Sequence, residues 1–192
     1  KLREKPLAIF DCCPSPPLMW SDLTAQALID CARSGIPAEL VSMPLTGATS
    51  PVTLAGAITV GNAEALSGLV IHQLRAPGAP MVSGLGMCTM DMRTSACIYG
   101  CPEYRLALSA CADLYHGYGI PLWGTAGASD SHCLDQQAAM EWSLSLLTDT
   151  LNGCNLIHDV GYLGQGLVAH PAGLVMCDEI ISYVKHLTGG FE

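Results

Sequence analysis

Carboxylates, imidazoles and aromatic rings gather in three short stretches of this chain. The first reads Met87-Cys88-Thr89-Met90-Asp91-Met92-Arg93 and continues to Tyr99 and Glu103. The second opens at Trp123 and runs through Thr125, Ser129 and Asp130 to His132. The third is His158-Asp159, followed by Tyr162 and Gln165. Asp91, Glu103, Asp130, His158 and Asp159 could move protons or stabilise charge. Tyr99, Trp123, Ser129, Tyr162 and Gln165 could line a substrate. Tyrosine and tryptophan beside carboxylates attract a quaternary ammonium group through cation–π and Coulombic forces.

Each residue also has a plain structural reading. Asp130 could form an Asx turn, and Asp135 could serve a helix start. Glu103 follows Pro102 at a helix N-terminus, where a carboxylate suits the dipole. Asp91 and Arg93 could pair with each other, and Tyr99, Tyr104 and Trp123 could be packing. His158-Asp159 is hardest to dismiss, because two polar groups that end an apolar strand need partners. His132, Cys133 and His158 could join a cysteine around zinc. Their spacing specifies no set of three or four ligands, so no metal is expected.

The elements that must position these residues recur as one pattern. A short apolar run, a Gly/Ser/Thr/Asp-rich stretch and a longer helical pattern follow one another five times. The runs begin at residues 6, 38, 80, 120 and 155, with spacings of 32, 42, 40 and 35. Ser21 and Gly35 bracket the first helix as cap and stop. Ser50 and Pro51 open a helix reaching about Leu74. Further helices are expected from Pro102 to Tyr118, from Leu134 to Asn152 and from Pro171 to about Leu187. In the last, Leu174, Cys177, Ile181 and Val184 share a face. Strands alternating with helices at this interval mean βα units and a parallel sheet. No G-x-G-x-x-G follows the first strand, so a dinucleotide fingerprint is missing. Uniform repetition without a reversal favours a TIM-type (β/α)8 barrel over an open doubly wound sheet, and places the working loops beyond the strands' C-terminal ends.

Composition narrows the class. Half of the 192 residues are hydrophobic and 13% are charged, as in strands covered on both faces. A net charge of −9 argues against nucleic acid and suits a cationic substrate, although it also serves solubility. No uninterrupted apolar run spans a membrane and no leader is visible, which points to the cytoplasm. The ten cysteines form no C-x-x-C pair and several lie in apolar segments, so free thiols are expected rather than disulfides.

Several stretches together resemble the trimethylamine–corrinoid protein methyltransferase superfamily. They include Met43-Pro44-Leu45-Thr46-Gly47-Ala48-Thr49-Ser50-Pro51, Asn62-Ala63-Glu64, Met90-Asp91-Met92-Arg93-Thr94 and Tyr99-Gly100-Cys101-Pro102-Glu103. Gly124-Thr125-Ala126-Gly127, Ser129-Asp130, Asp135-Gln136-Gln137-Ala138, Asn155 through Tyr162 and Cys177-Asp178-Glu179 continue the match. The resemblance implies a barrel whose acidic, aromatic mouth receives a methylated amine, within methylamine metabolism and methanogenesis. The methyl group would pass to the cobalt(I) of a corrinoid carried by a cognate partner protein, with no cofactor bound by this chain itself. A homo-oligomer without nucleic-acid or membrane partners is expected. One branch of the superfamily uses pyrrolysine and trimethylamine; the other lacks it and demethylates glycine betaine and similar quaternary amines. The wording here is nearer the first. Five units against the eight of a barrel, a start at Lys1 and an end at Phe191-Glu192 suggest one fragment, residues 1–192. A pyrrolysine would then fall beyond Glu192. The fragment alone could be inactive, or act only as a corrinoid-protein binding module.

Overall fold

The computed structural model describes residues 3–191; Lys1, Leu2 and Glu192, the ends on which the reading of a fragment drew, lie outside the described residues. The chain order is β1 (Phe10–Asp11), α1 (Asp22–Ser34), β2 (Ala38–Ser42), β3 (Leu45–Thr46), α2 (Leu54–Arg75), β4 (Met81–Leu85) and β5 (Cys88–Met90). It continues with β6 (Cys97–Ile98), α3 (Pro102–Tyr118), β7 (Trp123–Thr125), α4 (Gln136–Leu151), β8 (Leu156–His158), β9 (Tyr162–Leu163), β10 (Val168–Ala169) and α5 (Pro171–Thr188).

The five expected apolar runs supply the parallel strands. β1 pairs with β2 and β2 with β4, while β7 pairs with β8, all parallel. A parallel bridge between Ser83 and Leu122, with Ser83 N–H donating to the Pro121 carbonyl at 3.0 Å, joins the two groups. Chain order therefore equals spatial order. Among the described residues these strands do not close on themselves. The remaining strands are short hairpins and ribbons in the loops that follow, such as the antiparallel pairs β5–β6 and β9–β10.

Helix ends follow local chemistry. The Ser21 side chain accepts from Thr24 N–H and Gly35 takes the left-handed conformation that stops α1. α2 begins three residues later than Ser50-Pro51 suggested. Residues Leu45–Ser50 close a turn instead, with Ala48, Thr49 and Ser50 N–H groups all donating to the Leu45 carbonyl, and Thr53 becomes the cap. Asp135 caps α4 by accepting from Ala138 N–H, and the His170 ring caps α5. Leu174 is 56% exposed, so the α5 core face is Gly173, Cys177 and Val184.

Alternation along the strands separates two environments. Ala38 and Leu40 of β2 pack outward on Leu28 and Cys31 of α1. Val41 points the other way, toward Val82, Trp123, Cys13 and Met43. Gly84 and Gly86 lie beneath Trp123; a Cβ on Gly84 would come within 2.7 Å of the Trp123 carbonyl oxygen. α2 is long and apolar enough to cross a membrane, yet it buries Glu64 and His72 and packs on α1, α3, β2 and β4. The expectation of free thiols is corrected at one place: Cys88 and Cys97 are joined by a disulfide, Cα atoms 5.5 Å apart. The β5–β6 hairpin brings them together, a pairing that linear spacing does not reveal.

Candidate functional site

β2 carries a carboxylate, Glu39, in an otherwise uncharged strand, and its side chain is only 6% exposed. A buried charge needs a partner. Glu39 finds it in His158, the last residue of β8, whose Nε2 lies 3.1 Å from Glu39 Oε1. The other ring nitrogen, Nδ1, lies 2.7 Å from Asp159 Oδ1. Asp159 has a positive φ of 75°, a left-handed bend beyond the strand that a non-glycine residue adopts at some cost. Burial opposes a charge on His158, but the hydrogen bonds and charges of Asp159 and Glu39 outweigh it and push the pKa up to about 9. Trp123, 2% exposed, meets the His158 ring edge-on with centroids 4.4 Å apart.

Two more polar residues border this cluster. Asp11 at the end of β1 sits in register beside Glu39 and accepts from the Cys13 thiol at 3.1 Å. Burial, with Asp11 and Glu39 nearby, pushes that thiol well up, so it stays neutral. Tyr99 approaches from the loop between β6 and α3; burial, and then the Asp159 and Asp130 charges, raise its phenol. Tyr99 also packs edge-to-face on Tyr104, centroids 5.5 Å apart.

The loop carrying Tyr99 is held by a second network. Asp130 accepts from the N–H groups of Tyr99 and Gly100 at 2.9 and 2.8 Å. Glu141 of α4 accepts from Ser129 Oγ at 2.6 Å, from Asp130 N–H at 2.9 Å and from Gln137 Nε2 at 2.9 Å. Desolvation raises the Asp130 pKa against those two backbone donors. The Glu141 carboxylate lies directly against the Gly100 backbone, leaving no room for a side chain there. Ser129 and Asp130 thus fasten the loop.

The structure brings Trp123, His158, Asp159 and Tyr99 together. Asp91 is elsewhere, closing the β5–β6 turn by accepting from Arg93 N–H and Thr94 Oγ1, each at 2.9 Å. Glu103 is exposed in the first turn of α3. Tyr162 is 39% exposed and contributes its carbonyl to Trp142 and Ser129, while Gln165 donates its N–H to the Ser129 carbonyl at 3.1 Å. Among the described residues no group of three or more His, Cys, Asp or Glu is arranged to hold a metal.

Glu39, Asp11 and Cys13 escaped the sequence reading. Glu39 had a signal: one carboxylate amid Ala38, Leu40 and Val41 must be either an error of strand assignment or a paired interior charge. Arg105 and Asp149 escaped as well. They form a buried pair behind β7, with Arg105 Nη1 donating to the Thr125 carbonyl at 2.8 Å and lying 3.4 Å from Asp149 Oδ1.

A parallel βα chain with an acid–histidine–acid cluster inside its strands has the layout of an α/β enzyme domain. The trimethylamine methyltransferase (MTTB) family model matches residues 2–192, and the chain belongs to that family. It is 36% identical over 192 residues to trimethylamine methyltransferase MttB of Desulfitobacterium hafniense (strain DSM 10664 / DCB-2), covering 100% of this chain and 39% of that protein. Trimethylamine methyltransferase MttB of Methanosarcina thermophila is 38% identical over 188 residues, 98% of this chain and 39% of its own length. The glycine betaine methyltransferase of Desulfitobacterium hafniense (strain Y51) is 31% identical over 191 residues, 99% of this chain and 40% of its own. The chain thus spans about two fifths of the length of these relatives.

Proposed function

We propose that this chain is part of a (β/α)8-barrel enzyme that moves a methyl group from trimethylamine to the corrinoid of a partner protein. The observation that carries the reading is an acidic, aromatic cluster: Glu39 and Asp159 hold one imidazole against Trp123, with Tyr99 alongside and the exposed Asp11 in register beside Glu39. Excess negative charge beside aromatic rings suits an ammonium centre. The sequential parallel order of β1, β2, β4, β7 and β8 supports the barrel, and the names of the relatives support the amine.

The corrinoid supplies the methyl acceptor. Both nitrogens of His158 are already taken by carboxylates, so this ring is not free to ligate cobalt. The chain's own residues would then seat the amine, exclude water and hold its nitrogen in the cationic form that lets a methyl group leave. Orientation of this kind is a large part of such catalysis.

A glycine betaine reading has its own support. Trp123 Nε1 has no hydrogen-bond partner, and a substrate carboxylate could take that donor. The carboxylates of Glu39 and Asp159 oppose it by repulsion. Methyl transfer to a cob(I)alamin-loaded corrinoid protein, followed by the cobalt absorption change, separates the two with the full-length enzyme. Transfer from trimethylamine is expected, and transfer from neither amine would overturn the proposal. Loss of transfer in Glu39→Gln, with folding retained, would tie the activity to this cluster.

A further inference from the structure

The imidazole of His158 has a carboxylate oxygen at each nitrogen and no other polar partner. A neutral ring has one N–H and one lone pair, so it would direct that lone pair at a carboxylate. With both carboxylates ionised, only the doubly protonated ring satisfies both contacts. Its two partners come from distant parts of the chain: Glu39 is 119 residues away on β2, whereas Asp159 adjoins it beyond β8. Each carboxylate uses a single oxygen. Glu39 Oε2 and Asp159 Oδ2 accept no hydrogen bond, and neither is among the sealed-off polar atoms.

We propose that His158 is a positioning residue: as an imidazolium it clamps Glu39 to Asp159 across the strands, leaving the second oxygen of each to receive a ligand cation. The ring does not touch the ligand's reacting atoms. It holds together two negative groups whose mutual repulsion would otherwise separate them, and it leaves the cluster of three at one net negative charge. The ligand arm of this inference rests on the cationic-amine reading above; the protonation arm does not.

The surroundings leave His158 as the group that titrates. Facing it are Glu39 from β2, with Asp11 and Cys13 of the β1 end beside that glutamate, the uncharged Trp123 from β7, and Asp159 with Tyr99 alongside. The Cys13 thiol and the Tyr99 phenol are both pushed up and stay neutral through mildly alkaline pH. The His158 pKa of about 9 therefore marks the opening of the clamp.

Two measurements test this. In 15N NMR of the ligand-free protein, both ring nitrogens of His158 should be protonated at pH 7.5. Glu39→Gln and Asp159→Asn should each lower its titration midpoint by roughly a unit or more. A neutral His158 at pH 7.5, or a midpoint that ignores both substitutions, overturns the clamp. In the second measurement tetramethylammonium, whose charge does not change with pH, is titrated into wild type and His158→Gln by calorimetry. Deprotonation makes the cluster more negative, but the two carboxylates then repel and separate. Wild type should therefore hold a steady affinity from pH 6.5 to 8 and lose about tenfold by pH 10; an affinity that rises through pH 9 would overturn the clamp. His158→Gln should be about tenfold weaker at pH 7.5 and show no alkaline step. A merely structural role would weaken binding and leave the step in place, and a variant with wild-type affinity would overturn the proposal. Absence of any binding to wild type would refute the amine reading, while the NMR result still decides the clamp.

Discussion

Replacing Asp149 with asparagine removes a carboxylate that the fold buries almost completely. Its side chain is 1% exposed, Oδ1 is 3.4 Å from Arg105 Nη1, and Oδ2 has no partner. Burial outweighs the pull of the guanidinium and raises the pKa from 3.8 to about 6. The folded chain thus keeps a proton that the unfolded chain has already released. The stability contribution is greatest below the unfolded value, worsens as pH rises to about 6, and is level beyond. At about 1.4 kcal/mol per pKa unit, the loss totals about 3 kcal/mol. The amide of the Asp149→Asn variant is neutral throughout, so the variant should gain about 2–3 kcal/mol on wild type between pH 4 and pH 7.5. Urea unfolding of the two proteins at matched pH values measures this, because the other carboxylates cancel in the difference. Parallel stability curves would refute the reasoning, and so would a variant that loses ground as pH rises. Either result would mean that the Arg105–Asp149 pair is a net stabilising ion pair at neutral pH. Removing only the cation should behave in the opposite sense: Arg105→Met at pH 7.5 strands the buried carboxylate and should cost about 3–5 kcal/mol.

Gly84→Ala places a methyl group 2.7 Å from the Trp123 carbonyl oxygen, backbone that cannot swing aside. It should cost about 1–3 kcal/mol, seen as a lowered Tm by calorimetry, and an unchanged Tm would show that β4 and β7 are less tightly joined than this contact implies. Asp130→Ala removes the acceptor of two backbone N–H groups. Hydrogen exchange at Tyr99 and Gly100 should accelerate, with about 1–3 kcal/mol lost for each donor left unpaired, and unchanged protection would count against Asp130 as the fastening of this loop. Reducing the Cys88–Cys97 disulfide opens a short covalent loop, which should cost about 2–3 kcal/mol in urea unfolding. Cys97→Ser should reproduce that loss and make the protein indifferent to reductant.

The sequence by itself determined the repeating units. Periodicity, caps and glycine stops are local, so the strand at Met81–Leu85 and the helices at Asp22–Ser34 and Pro102–Tyr118 lie where the residues said. His158-Asp159 was legible too, because a polar pair ending an apolar strand must be satisfied somewhere. Only the tertiary structure decided by what. Glu39 is 119 residues from His158 and looks like one odd residue in an apolar strand until β2 and β8 face the same interior. The same distance hid the Arg105–Asp149 pair, and the turn of β5 back on β6 hid the disulfide. Ser129 looked like a ligand for a substrate and Asp130 like a catalytic acid, yet Glu141 and the Tyr99 loop had already claimed their hydrogen bonds. Local pattern reports which groups need partners; the choice among partners depends on which strands become neighbours.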